Sequence, residues 1–466
     1  MVNSRSLVVL PDPAADYLRA VGAGELPADL PAGHAVTVLG PELAAKSFQR
    51  PMFVPEREIA AFYADFEVLL DVVGRLPDLL AGGSLAAFGA LTDAPAAIRP
   101  MLVDTDLPRL VRYGRADLMH DGTGFKVIEL GLSTAVGGVR RAPLGAAILA
   151  DPRFSHFAER HGLRHLDSVT GLVDLLDAAA PEHYTGTPGD LREVLMVEAT
   201  GALAEWAAAW QPLAERIETR PFRTRLAEIA DLSKPDGPIA DGVAGVSAIL
   251  RLFSLEELAA EPDPMVAWRR LHPSADSTMP PVVTVPAHDV FNSKSCLALV
   301  QLPAVQDALT EAERAALRRI LTQTTRIDAP YDLTGLIRDR SDSILKPTTL
   351  ARGEGTVAGW TVDDTTWREA LTTAARDGRY IVQRRVVPRV EPGCGEQGST
   401  VRDWHAVWGL HYGPAGLTGL TSRLVGEPST VIRGTTERGV LLAPVFLSSG
   451  AHSSSDDRHG TATAER

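Results

Sequence analysis

Cysteine is scarce in this chain. Only Cys296 and Cys394 are present in 466 residues, far apart, with no CxxC pair and no metal-like spacing. That argues against a disulfide-stapled secreted fold and for a reducing cytoplasm. Basic charge is also short: 46 Lys and Arg stand against 59 Asp and Glu, for a net charge of −13. A polynucleotide binder usually carries a basic face or tail. Neither is visible, so nucleic acid is not an expected partner. The acidic balance serves solubility and leaves room for nucleotides, which local Gly, Lys and Arg can bind. No window reaches the roughly 18–20 apolar residues of a membrane span. The opening "MVNSRSLVVLPDPAADY" holds too short an apolar run for a signal peptide. A soluble, cytoplasmic protein with no membrane partner is expected. GxGxxG and GxxxxGK[ST] are both missing, so neither a dinucleotide fingerprint nor a Walker A loop is implied. The twelve histidines are scattered without metal-ligand spacing.

What is present is ordinary globular material, 45% hydrophobic and 23% charged, at a length that suggests two to four domains or subdomains with ample core. "EREIAAFYADFEVLLDVVGRL" carries apolar residues at helical spacing. "SLVVLPDP" reads as a short strand or extended entry. "EVLMVEA" reads as a buried strand, "GALAEWAAAWQPLAERIE" as a long helix and "GVSAILRLF" as another strand, a Rossmann-like alternation. After the proline-rich joint "STMPPVVTVPAHD" the pattern becomes α+β: "SILKP" as strand, "DDTTWREALTTAAR" as helix, "RYIVQRRVV" as strand. Asp363 or Asp364 is the expected N-cap of that helix. "DWHAVWGLHY" places His405 and His411 at same-parity strand positions. The closing "SSGAHSSSDDRHGTATAER" is polar and expected to be disordered.

Two constellations carry chemistry. The first is "RYGRADLMHDGTGFKVIELG", which reads as a β-hairpin. If its turn is Gly122-Thr123-Gly124, Asp121 pairs with Phe125. Asp117 then lies opposite Glu129 and Arg115 opposite Gly131, all on one face. Directly opposed side chains sit about 4.5–5.5 Å apart at Cβ. Two carboxylates that close need a shared cation or proton, and an oxygen-only pair suits Mg²⁺ with phosphates. A two-residue turn would instead face the acids in opposite directions and leave them as solvent-facing acids of an edge hairpin. The second constellation is "SILKPTTLARGEGTVAGW", with Lys346 ending an apolar strand before a loop holding Gly353 and Gly355. Such a loop can wrap phosphates with backbone N–H groups. Upstream, "HDVFNSKSCLALVQ" puts Lys294 where a turn enters an apolar helix.

Taken in order, these pieces resemble the circularly permuted ATP-grasp proteins, the group that includes the glutathionylspermidine synthetase-like amidases and ligases. The resemblance covers most of the chain after roughly residue 100. It implies an α/β fold of mixed α+β character: a circularly permuted ATP-grasp with an inserted Rossmann-like pre-ATP-grasp domain. Residues 1–150 would form an N-terminal region with the metal hairpin, and 151–285 the Rossmann-like substrate domain. Residues 286–448 would be the nucleotide-binding region with its Gly-rich lid, and 449–466 a disordered tail. The family's Arg-x-Asp and Glu-x-Asn pattern matches Arg115, Asp117 and Glu129, with Gly131 where Asn is expected. Lys294 and Lys346 match its nucleotide lysines, and Gly353 and Gly355 its lid. Gln383, Arg384 and Val386 match its adenine hinge, where Arg384 replaces a commonly acidic residue. "ILRLFSLEEL" resembles a strand-to-helix junction of the inserted domain.

The implied activity is ATP-dependent joining of a small-molecule carboxylate to an amine, through an acyl phosphate, with release of ADP and with Mg²⁺ on Asp117 and Glu129. Arg115 would stabilise the transferring phosphoryl group. Arg140, Arg141 and Arg423 are candidates to bind a substrate carboxylate. Gly131 leaves two outcomes open. Water, or a hydroxyl from Ser133 or Thr134, completes the metal shell, or one metal site is absent. An ATP-binding protein without ligase activity and a small-molecule kinase are the alternatives.

Overall fold

A computed structural model describes residues 12–102, 110–135, 137–179, 191–234, 246–272, 280–327, 333–350, 353–394, 401–427 and 439–449. The largest sheet has eight strands taken from widely separated parts of the chain. Its path runs β1 (Met52–Pro55), β16 (Leu441–Ser448), β15 (Gly416–Val425), β14 (Val401–Gly413), β2 (Gly114–His120) and β3 (Phe125–Gly131). In addition, β13 (Val390–Cys394) pairs with β14, and β4 (Leu163–Arg164) with β16. Strand β14 is the spine, buried from Trp404 to Gly413. Its even positions, Trp404, Ala406, Trp408, Leu410 and Tyr412, enter the main core. Its odd positions, including His405, Gly409 and His411, face the other way because strand side chains alternate.

The main core is closed by the helix Glu56–Ala81, which buries Ile59, Phe62, Phe66, Leu69, Leu70, Val73 and Leu76 along one side. This is the helix its periodicity predicts. It stops at Gly82, which takes the left-handed conformation (φ 57°) that glycine adopts without steric cost.

A second sheet is wholly parallel, in the order β6 (Phe222–Glu228), β5 (Arg192–Glu198), β7 (Val246–Arg251), β8 (Val282–Val283). Val194 to Val197 are fully buried, as a central parallel strand requires. The expected long helix follows at Leu203–Ile217. A third, antiparallel sheet runs β11 (Val357–Ala358), β10 (Ser343–Pro347), β12 (Tyr380–Arg384), β9 (Thr324–Ile327). The helix Asp364–Asp377 covers it, packing Trp367, Leu371 and Ala374 on Ile327, Leu345 and Val382. Asp363 is its N-cap, accepting from the Thr366 N–H at 2.8 Å. Strand β12 is shorter than "RYIVQRRVV" suggests. Past Gln383 its ladder with β9 ends, and the Arg385 N–H turns to the Asp342 carbonyl.

The expected strand in "SLVVLPDP" lies outside the described residues up to position 11, as does the tail after position 449. No helix among the described residues is long and apolar enough to cross a membrane.

One close approach fixes the start of the hairpin. A Cβ on Gly114 would sit 1.9 Å from the Gly131 carbonyl oxygen and 2.9 Å from Tyr412 Oη. Tyr412 Oη donates to that same carbonyl at 2.7 Å. Gly114→Ala should therefore cost about 2 kcal/mol or more by overpacking, read as a lowered urea midpoint. An unchanged midpoint would show that the strands part freely there.

Candidate active site

The hairpin reaches its predicted pairing by a different route. Its turn has four residues, Asp121 to Gly124, and His120, not Asp121, pairs with Phe125. The Asp121 side chain causes this. Its Oδ1 accepts from the N–H groups of Thr123 (2.8 Å) and Gly124 (3.0 Å), and the Asp121 N–H donates to the Gly124 carbonyl. Continued regularly, that register would set Ile128 opposite Asp117 and turn Glu129 toward the core. A β-bulge corrects it. Leu118 pairs with Val127, Ile128 is skipped, and Asp117 pairs with Glu129 and Arg115 with Gly131. The buried positions accordingly switch from Phe125 and Val127 to Leu130 and Leu132.

The bulge has a second effect. Ile128 has no partner in the hairpin register, and its carbonyl accepts from Lys346 Nζ at 3.1 Å. The same ammonium donates to Gln383 Oε1 at 2.8 Å, and Gln383 Nε2 donates to Thr324 Oγ1, which fixes the amide's orientation. Lys294 reaches the hairpin from its other strand position. Its Nζ lies 3.0 Å from Glu129 Oε1 and donates to the Leu350 carbonyl at 2.8 Å. Its backbone N–H donates to the Thr348 carbonyl, two residues past Lys346. Both lysines therefore tie the third sheet and its following loop to the hairpin.

Asp117 is buried between two guanidinium groups. Arg115 donates through Nε to Oδ1 (2.8 Å) and through Nη2 to Oδ2 (3.4 Å), and its Nη1 reaches the Gly137 carbonyl. Arg423, from β15, donates through Nη2 to Oδ2. Gly409 makes the arrangement possible: a Cβ there would come within 3.0 Å of the Arg115 side chain and 2.5 Å of Thr421 Oγ1. Burial pushes Asp117 up, but Arg115 and Arg423 overcome it and hold the carboxyl well below the usual range. Glu129 is also lowered: burial and Asp117 push upward, and Lys294 with Lys346 outweigh them. Burial brings Lys346 down to about 8, against the pull of Glu129. Arg115, Arg423, Lys294 and Lys346 face two carboxylates, so the site carries an excess of positive charge.

The loop after β3 is held by side chains that sequence reasoning missed. His288 Nδ1 donates to the Leu132 carbonyl at 2.9 Å, and its Nε2 accepts from the Val111 N–H at 2.8 Å. Asn292 Oδ1 accepts from the Leu132 N–H. Fully buried Arg251 pairs with Asp289 and donates to Ser133 Oγ at 2.7 Å. Thr134 Oγ1 donates to the Val283 carbonyl and accepts from the Thr284 N–H. Asn292 stood two residues before Lys294 in "FNSKS", the one sequence signal that could have singled it out.

Other predicted residues are placed as follows. Gly353 and Gly355 have positive φ (70° and 66°), and a Cβ on Gly355 would sit 2.8 Å from Pro347 Cγ. Arg384 is exposed, its N–H bonded to the Gln323 carbonyl and its carbonyl accepting from Thr322 Oγ1. Val386 follows, half-buried and outside β12. Arg141 donates to the Ser422 carbonyl at 3.2 Å. Gly138 lies between His411 and Arg141: a Cβ there would be 3.2 Å from His411 Nε2 and 3.5 Å from Arg141 Nη2. Arg140 lies in the same turn, Val139–Arg141, with its side chain outside the described part.

No protein-family model matches the sequence, and no curated protein matches it. Among solved structures, a glutathione synthetase-like effector from Globodera pallida, in its apo form, is similar over 94% of this chain and 98% of its own, with TM-score 0.57 and 13% identity. A gamma-glutamylcysteine synthetase candidate from Methylobacillus flagellatus covers 85% of this chain and 89% of its own at 11% identity, with a TM-score of 0.36 that carries no argument. The first likeness shows the fold, an α/β architecture of the glutathione synthetase-like type.

Burial holds His288 down to about 4 and His272 to about 3, each from an ordinary 6.5. Burial also lowers His411, helped by Arg115 and Arg141. Below the unfolded value, the unfolded chain binds protons that the folded imidazoles refuse. Stability should therefore fall as pH drops from 6.5 toward 4, measured as urea midpoints across that range. A midpoint flat over the window would show that these imidazoles protonate in place.

Proposed function

We propose that this protein is an ATP-dependent carboxylate–amine ligase acting on small molecules, ADP-forming and working through an acyl phosphate. One observation carries the reading. Lys294 and Lys346 converge on a hairpin face that bears Asp117 and Glu129, with cationic charge in excess. That excess suits a polyphosphate, and the two acids suit a divalent cation within it. The fold likeness to a glutathione synthetase-like effector supports the reading.

The acids fit magnesium. Both donors are oxygens, both carboxyls are held ionised, and Mg²⁺ commonly takes one or two carboxylates with substrate phosphates. Arg115 and Arg423 make three hydrogen bonds to Asp117, and a carboxylate has about four lone-pair sites. Magnesium on Asp117 and Glu129 would supply charge neutralisation at the phosphate oxygens. Lys294 would exchange Glu129, and Lys346 the Ile128 carbonyl, for α- and β-phosphate oxygens. Arg115 would offer its planar donors to the transferring phosphoryl group. The turn at Gly353 and Gly355 would fold over the phosphates and exclude water, protecting an acyl phosphate from hydrolysis.

Gln383 would hold Lys346 in place through its hydrogen bond to the ammonium. The Arg384 backbone groups are bonded within the protein, so the adenine edge would be read beyond them, around Val386. Arg141, near Gly138 and His411, would receive the substrate carboxylate, with Arg140 beside it in sequence. Arg423 would chiefly neutralise Asp117. We assign substrate selection to residues 151–285 and nucleotide binding to 286–448, joined by the hairpin of residues 1–150.

A second reading, nucleotide binding without ligation, has one observation in its favour: Gly131 brings no side chain to the pair. ADP release that requires both an added carboxylate and an amine, with hydroxylamine trapping the acyl phosphate, distinguishes the ligase from this reading and from an alcohol kinase. Glu129→Gln should lower turnover by about a hundredfold or more with a modest change in affinity for an ATP analogue. Turnover like that of the unaltered protein would remove Glu129 from the chemistry. Because Lys346 loses its proton near 8, affinity for the analogue should weaken as pH rises past that value. Affinity constant well above it would exclude Lys346 as a phosphate ligand.

A further inference from the structure

Gly131 neighbours Glu129 on the site face and contributes no side chain. A divalent cation on Asp117 and Glu129, as in the reading above on which this inference rests, still needs oxygens to complete its shell. The two hydroxyls nearest in sequence are committed elsewhere. Ser133 Oγ accepts from Arg251 Nη2 at 2.7 Å and from the Ala135 N–H at 3.0 Å. Thr134 Oγ1 is bound by the Val283 carbonyl and the Thr284 N–H. Among the described residues, no group of three or more His, Cys, Asp or Glu side chains could hold a metal.

Another segment brings an amide to the same strand end. Asn292 ends the turn Pro286–Asn292, two residues before Lys294. Lys294 Nζ lies 3.0 Å from Glu129 Oε1, so residues 292–294 run beside the end of β3. Asn292 Oδ1 accepts from the Leu132 N–H, the peptide immediately after Gly131. That donor identifies the oxygen end of the amide. An amide oxygen has two lone pairs, and this bond uses one. The side chain is half-buried and is bonded to the residue that follows Gly131. Carboxamide oxygen is a hard donor of the kind magnesium and manganese accept.

We propose that Asn292 supplies the neutral oxygen ligand to the cation held by Asp117 and Glu129, taking the place of a side chain at position 131. The second lone pair of Oδ1 would serve the cation, with the amide held through its bond to the Leu132 N–H. The same contact couples the cation to the loop that Arg251 and His288 fasten from behind.

The test uses Mn²⁺ with a non-hydrolysable ATP analogue and the full chain, with bound and free Mn²⁺ resolved by electron paramagnetic resonance. Asn292→Ala should weaken Mn²⁺ in the nucleotide complex by about tenfold or more. Its affinity for the metal-free analogue should stay close to that of the unaltered chain, while its melting temperature should drop because the Leu132 N–H loses its acceptor. Asn292→Asp, which keeps an oxygen and adds charge, should retain or tighten Mn²⁺. Equal Mn²⁺ affinity in Asn292→Ala overturns the inference. So does a parallel loss of metal-free nucleotide affinity, which would mark Asn292 as only a strut for Leu132. Failure of the unaltered chain to bind the analogue would overturn the ligase reading as well. An unaffected Ala variant of a chain that does bind Mn²⁺ and analogue sinks this inference alone.

Discussion

The bulge at Ile128 is the constraint on which the site depends. A strand has a period of two, so one unpaired residue exchanges the faces of everything beyond it. Without it, the four-residue turn would turn Glu129 into the apolar core that Phe125 and Val127 enter, and Leu130 out of it. With it, Glu129 stands opposite Asp117, and the Ile128 carbonyl is left to accept from Lys346. One backbone irregularity thus sets both the acid pair and the attachment of the sheet that carries Lys346. It is held open by tight packing at the end of the hairpin, where Gly114 and Tyr412 fix the Gly131 carbonyl.

Around that pair the charges are balanced locally. A buried carboxylate is costly unless it is paired and hydrogen-bonded. Asp117 meets this with Arg115 and Arg423, and Glu129 with Lys294. Each lysine has a protein acceptor, which fixes the cationic cluster in place.

Two arginines join the layers, Arg251 fully buried and Arg326 half-buried. Arg251 gathers Asp289, Thr284, Phe253 and Ser133, and so fastens the parallel sheet to the loop after the hairpin. Arg326, on β9, binds Asp93, Ser295 Oγ and the Gly378 carbonyl. Ser295 follows Lys294, so Arg326 ties the third sheet to the segment that delivers the first lysine. Each of these two sheets is thereby fastened to a segment that carries candidate site residues.

Local periodicity was enough to reveal the elements. The helix Glu56–Ala81, the buried strand β5, the strand ending in Lys346 and the capped helix after Asp363 all follow from the spacing of apolar residues and their caps, which act over a few residues. The phase break in "FKVIELGL", with Phe125 and Val127 apolar before it and Leu130 and Leu132 after it, was also legible as a bulge. Reading the turn as three residues concealed it, because both routes bring Asp117 to Glu129. The sequence by itself thus determined which segments carry acids and lysines, and left the face each acid presents to the register of the hairpin. Only the tertiary structure decided that Arg423 meets Asp117 across 306 positions, that Ser133 and Thr134 are spent on Arg251 and β8, and that Asn292 lies against Leu132. Those contacts depend on strand order and on the packing of one sheet against another. No local pattern encodes them, because the free energy that selects them comes from burying many distant side chains together.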